Sequence, residues 1–199
     1  MKLSWQVAHQ CLPASGETEC GDLVVHREAG GEHLIAVVDA LGHGAKAAEV
    51  AAMARQHLEA LPWPSALTSE AVIEGLHGRL RGSRGAAATV CLLRGQELDG
   101  CGVGNVELRS VGSAVPVMMS PGVLGQRVLR LHHFTARLSP QASLFFFSDG
   151  ISSRAPFTDL ARLAVAEACG VLAREHRKPH DDGSVLVARL ESTTHVPGN

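Results

Sequence analysis

The run Leu144-Phe145-Phe146-Phe147 has no polar face. Successive side chains of a strand point to opposite sides, so a strand apolar at every position must be covered on both. The middle of the chain is strand-like too. Ala86–Arg94, Glu97–Val103 and Val106–Val111 are short apolar-rich runs broken at Gly95-Gln96 and Gly104-Asn105. Arg127–Ala136 and Ser143–Ser148 continue the pattern, and glycine gathers at the breaks, as a meander of antiparallel strands requires. Upstream, Leu23–Glu28 and Leu34–Asp39 flank Ala29-Gly30-Gly31-Glu32, a hairpin signal.

Helical periodicity is confined to three places. Val50, Ala54, Leu58 and Leu61 make one stripe over Ala45–Leu61, which Pro62-Trp63-Pro64 ends. Ser69–Arg81 turns Val72, Ile73, Leu76 and Leu80 to one side, and Thr158–His176 does so with Leu160, Leu163, Ala164, Ala168, Val171 and Leu172. A last strand is expected over Val185–Leu190, then a frayed tail over Glu191–Asn199. Strands and helices thus come in separate runs, which predicts α+β with antiparallel sheets rather than βαβ winding. Two sheets face to face with helices outside cover the apolar strands on both sides.

A chain of 199 residues suffices for one domain, residues 1–199, with 45% hydrophobic and 19% charged residues. A net charge of −2 makes no case for nucleic acid or an anionic membrane. No apolar run approaches a bilayer span, and Met1-Lys2-Leu3-Ser4-Trp5-Gln6 is too polar for a signal peptide, so a cytoplasmic location is expected. The five cysteines lack CxxC spacing and read as free thiols. The eleven histidines are dispersed, and adjacent His132 and His133 point to opposite faces, unlike paired ligands.

The chemistry lies where apolar strands stop. Asp39 ends Leu34-Ile35-Ala36-Val37-Val38 and precedes Ala40-Leu41-Gly42-His43-Gly44; Asp149 follows Ser148 and precedes Gly150; Asp181-Asp182-Gly183 stands just before the last strand. Carboxylates fixed at strand ends repel one another unless cations sit among them. Hard oxygen donors of this kind suit magnesium or manganese. Water shared by two such ions becomes a nucleophile at neutral pH. No GxSxG, Cys-x5-Arg or Walker A motif competes.

With Gly21-Asp22, Asp39-Ala40-Leu41-Gly42-His43-Gly44, Ser148-Asp149-Gly150 and Asp181-Asp182-Gly183-Ser184-Val185 in this order, the chain resembles the PPM-type (protein phosphatase 2C-like) Ser/Thr phosphatases of the SpoIIE branch. Gly85-Ala86-Ala87-Ala88-Thr89 is similar to the family's small-residue strand, and the short length is similar to the RsbX-type phosphatases of stressosomes. The resemblance implies a four-layer αββα sandwich with two Mn2+ or Mg2+ ions at one end. It implies that Asp39 bridges both ions and that the Ala40 carbonyl adds a ligand to one. Asp22 holds that ion through water, Asp149 and Asp181 hold the other, and Asp182 binds metal waters or a third, weaker ion. Asp39 and Asp149 are then the catalytic carboxylates.

His43 reads either as a general acid near the leaving oxygen or as a structural turn histidine. Arg27, Arg84 and Arg154 are candidate phosphate binders, none within a motif. Ala40 stands where the family has glycine; a positive φ there would cost about 1 kcal/mol. The substrates implied are phosphorylated STAS-domain scaffold or antagonist proteins, met by a monomer acting without nucleic acid or membrane. With no sensor module in view, ungated activity is expected. Two rivals stand beside this reading. One is a metal-free PPM-like binding or regulatory domain; the other is a metal hydrolase of small phosphorylated metabolites.

Overall fold

The computed structural model describes residues 2–63 and 66–193. In chain order the elements are β1 (Lys2–Leu12), β2 (Asp22–Ala29), β3 (Glu32–Ala40), α1 (Ala45–Ala60), α2 (Ser69–Arg79), β4 (Ala86–Arg94), β5 (Glu97–Val103) and β6 (Glu107–Val111). Then follow β7 (Gly122–Val123), β8 (Arg127–Val128), β9 (His133–Arg137), β10 (Ser143–Phe147), α3 (Phe157–Leu160), α4 (Val165–Glu175) and β11 (Gly183–Thr193). One sheet runs β1-β11-β10-β6 and the other β2-β3-β4-β5-β9, with β7-β8 a small ribbon apart; every named pairing is antiparallel.

Three apolar clusters show the layers. Leu34, Ala36 and Val38 pack with α1 and α2. Ile35 and Val37, one position on, pack with Phe146, Leu186 and Ala188 of the other sheet. Phe145 and Phe147 turn outward to α3 and α4, each ring 5.2–5.3 Å from Phe157. The layers are therefore helix, sheet, sheet, helix. The all-apolar β10 is explained by this alternation: Phe146 enters the inter-sheet core, its neighbours the outer one. Each such burial contributes about 1.5–3 kcal/mol.

The structure adds one strand and corrects three expectations. The polar-looking N-terminus is a full edge strand, since β1 pairs with β11 along its length and turns alternate residues (Leu3, Trp5, Val7) inward. The helix expected over Thr158–His176 is two, α3 and α4. They part at Ala161–Ala164, where Ala164 adopts extended backbone (ψ 146°) and the Arg189 guanidinium donates to the Ala161 carbonyl at 2.8 Å. The strand expected over Arg127–Ala136 is also two. Arg127–Val128 folds back on Gly122–Val123, and His133–Arg137 joins the large sheet beside β5. There Gly100 leaves room for Phe134, whose ring occupies the space a Cβ would take. Lastly, Glu191–Thr193 belongs to β11 rather than to a tail; residues 194–199 and Pro64 lie outside the described residues.

Candidate active site

The strand ends that carry the acidic residues meet at one end of the sandwich. Asp22 opens β2 and Asp39 lies near the end of β3, and the hairpin register places them directly opposite each other. On the other side of Asp39 stands Ala87 of β4, one of three consecutive alanines that keep this edge uncrowded. From the facing sheet, β10 ends at Phe147 and delivers Ser148 and Asp149. Asp181 and Asp182 come from the turn before β11.

Four hydrogen bonds lock these pieces together. Ser148 Oγ donates to Asp22 Oδ2 at 2.5 Å and accepts from the Ser184 amide at 2.9 Å, joining both sheets. Asn105 Nδ2 donates to Asp149 Oδ2 at 2.8 Å, and Lys178 Nζ donates to the Asp149 carbonyl at 2.5 Å. Neither Ser148 nor Asn105 stands out as a site residue in the sequence. The signal for Ser148 is a hydroxyl beside a strand-end aspartate, a buried group that requires a partner. No such signal marks Asn105.

Asp39, Asp149, Asp181 and His43 line one open cavity of about 330 Å³, with Asn105, Ala87 and His180. His180 has no motif to announce it. Asp22 and Asp182 are buried and do not line this cavity. Both oxygens of the buried Asp182 are engaged by backbone: Oδ1 accepts from Ala14 N at 2.8 Å and Oδ2 from Gly21 N at 2.7 Å. Asp182 thus fastens the loop before β2 to the turn before β11. Asp181 Oδ1 accepts from the Asp182 amide at 2.9 Å. His43 Nδ1 meets Glu17 Oε1 at 2.9 Å, and both side chains are exposed.

Ala40 lies in β3 with its side chain buried against the α1 layer and its amide donating to the Gly21 carbonyl at 3.2 Å. Among the described residues the only non-glycine with positive φ is Gln141, so the strain foreseen at Ala40 does not arise.

The setting disfavours the charged forms of Asp39 and Asp22. Burial pushes Asp39 up to about 8, with repulsion from Asp22, Asp149, Asp181 and Asp182 adding to it. Burial likewise raises Asp22 to about 7, against the hydrogen bond from Ser148. Carboxylates that resist ionisation beside one another are a donor set awaiting positive charge. Among the described residues no group of three or more His, Cys, Asp or Glu is gathered tightly enough to cage an ion on its own. All-oxygen donors spread around an open cavity fit hard ions that keep most of their water, as magnesium does.

The sequence profile described as stage II sporulation protein E (SpoIIE) matches residues 29–195. The chain belongs to the SpoIIE family. Solved structures of similar shape include one described as the bacterial stressosome, a modular system adapted to control secondary messenger signaling (28% identity, TM-score 0.82, 95% of this chain and 100% of that one). RsbX in complex with magnesium is similar at 22% identity (TM-score 0.81, 94% and 96%). The catalytic domain of the serine/threonine phosphatase PstP with two manganese ions is similar at 17% (TM-score 0.74, 96% and 100%). At 22% and 17% identity the likeness carries the fold, and this SpoIIE-branch chain has the PP2C-type phosphatase fold. No curated protein matches the chain. Among the described residues no helix is long and apolar enough to cross a membrane.

Proposed function

We propose that this chain is a Mn2+- or Mg2+-dependent phosphoprotein phosphatase acting on phosphoserine or phosphothreonine. One observation carries the reading: Asp39, Asp149 and Asp181 arrive from separate strand ends at one open cavity, with Asp22 register-paired to Asp39. Asp39 would hold both ions and the Ala40 carbonyl one of them, with Asp22 behind through water; Asp149 and Asp181 would hold the second. Two ions in such a site acidify water and polarise phosphoryl oxygens.

The protein's own groups then have distinct tasks. Asn105 fixes one oxygen of Asp149, so the other is presented to the cavity. Ser148 fixes Asp22 against the back of Asp39. Glu17 holds His43 by Nδ1, leaving Nε2 to give a proton to the departing serine or threonine oxygen. Asp182, with both oxygens committed to amides, serves the scaffold rather than a third ion. A shallow cavity suits a phosphate displayed on a folded protein, and the substrates we propose are phosphorylated STAS-domain proteins of a stressosome-type complex. The magnesium-bound RsbX and stressosome structures of similar shape support that choice.

The test is release of phosphate from a phosphorylated STAS-domain protein with and without Mn2+. Metal-dependent release, absent in Asp39→Asn, is expected. Release from p-nitrophenyl phosphate but not from any phosphoprotein would favour a metabolite hydrolase. No release from either would favour a binding domain.

A further inference from the structure

The acidic cavity poses an electrostatic problem for its own substrate. A phosphate monoester is a dianion, and Asp39, Asp149 and Asp181 face it. Cations at the rim can offset that field. Of the three arginines singled out in the sequence, Arg27 is committed elsewhere: Nη1 donates to the Leu58 and Leu61 carbonyls, and the guanidinium lies 5.2 Å over Trp63. Arg154 is exposed and does not line the acidic cavity.

Arg84 is placed differently. A Cβ at Gly42 would lie 2.9 Å from Arg84 Nη1, so the guanidinium rests on the loop that joins Asp39 to α1. Gly42 itself lines the acidic cavity. On its far side, Arg84 lines a second cavity of about 350 Å³ together with Lys46, Glu49 and Arg81. Three cations share this groove with one carboxylate. All three are exposed, and among the described residues none takes part in a salt bridge. Elsewhere Arg94, Arg109, Arg137 and Arg162 are each paired with an acid. A cationic groove beside an acidic cavity is complementary to a chain that carries a phosphate and further acids next to it.

We propose that this groove binds an acidic segment of the phosphoprotein substrate. Arg84 takes a phosphoryl oxygen at the rim, where its planar fork suits the oxyanion. Lys46 and Arg81 take aspartate or glutamate side chains within a few residues of the phosphorylated one. The assignment rests on the phosphatase reading for the identity of the phosphate, but not for the charge of the segment.

The test uses two fluorescent peptides bearing a non-hydrolysable phosphonate in place of phosphoserine, one flanked by aspartates and one by asparagines. Binding is read by anisotropy with Mg2+ present. The protein should bind the aspartate peptide roughly tenfold more tightly, a preference that shrinks as salt rises. Lys46→Glu/Arg81→Glu should abolish or invert the preference, and Arg84→Ala should weaken both peptides alike. Equal melting temperatures would show that the variants fold. Equal binding of the two peptides, or a preference untouched by the charge reversal, would overturn the proposal. Phosphate release from the corresponding phosphopeptides, measured in parallel, separates the two readings. Turnover without charge preference defeats the groove alone; preference lost on charge reversal, without turnover, defeats the phosphatase alone.

Discussion

The two ends of the β2–β3 hairpin bury polar pairs in opposite ways. At the open end Asp22 faces Asp39. At the turn end His26 Nε2 lies 3.0 Å from His33 Nδ1, the two rings parallel with centroids 5.3 Å apart. Neutral imidazoles offer one donor and one acceptor each, so one ring can donate to the other. Ionised carboxylates only accept, so two of them cannot. Burial therefore drives the histidines down from 6.5, where they are neutral and paired, and drives the aspartates up, where they are neutral but still facing one another. One end joins its polar groups to each other; the other leaves two like groups face to face.

The sharpest way to break this contrast is Asp39→Asn. Phosphatase activity should fall roughly 10²–10³-fold, the scale of losing a preorganised electrostatic element. The same variant should melt higher than the parent at pH 8 in EDTA, because a buried repulsion has been removed. A lower melting point there would show that Asp39 is not strained in the metal-free protein.

Next in size is Asp182→Ala, which orphans the Ala14 and Gly21 amides. It should destabilise the fold by about 2–4 kcal/mol with or without metal. Urea unfolding in EDTA measures it, and an effect seen only with Mn2+ would make Asp182 a ligand. Adding Mn2+ at about a hundred times its dissociation constant should then raise the melting temperature by roughly 5–10 °C. Identical melting with and without Mn2+ would remove the contrast between the two ends.

The smallest effect lies at the histidine end. His26 and His33 have folded values below 6.5, so the folded state binds fewer protons than the unfolded one. Their stabilisation is present above pH 6.5 and is lost as the pH falls below it. Melting temperature should drop by a few degrees between pH 7 and pH 5, and less in His26→Gln/His33→Gln.

The sequence made the strand-end acids legible because each interrupts an apolar run. Asp39 after Leu34–Val38 and Asp149 after Leu144–Phe147 break a pattern that core packing otherwise dictates. The layer order was legible from the same runs, since β10 has no side that tolerates water. What stayed hidden depends on partners distant in the chain. The role of Asp182 is set by amides 161 and 168 residues away, and that of Ser148 by an aspartate 126 residues away. β1 escaped notice because both of its faces are only partly covered, Leu3, Trp5 and Val7 by the inter-sheet core and Ala8 and Leu12 by the outer layer, so its sequence lacks a clean alternation. The break between α3 and α4 depends on Arg189, which lies in another strand.

The position of β11 has a consequence for how the protein is made. β11 is the last strand among the described residues yet sits inside its sheet, between β1 and β10. The sheet of β2, β3, β4, β5 and β9 can assemble while synthesis continues. β1 has no partner until β11 leaves the ribosome, and neither Asp181 nor Asp182 can reach its place before then. The acidic cavity is consequently completed only once β11 has been made, and a nascent chain stalled before residue 183 should hold one finished sheet and an unpaired β1 exposed to chaperones.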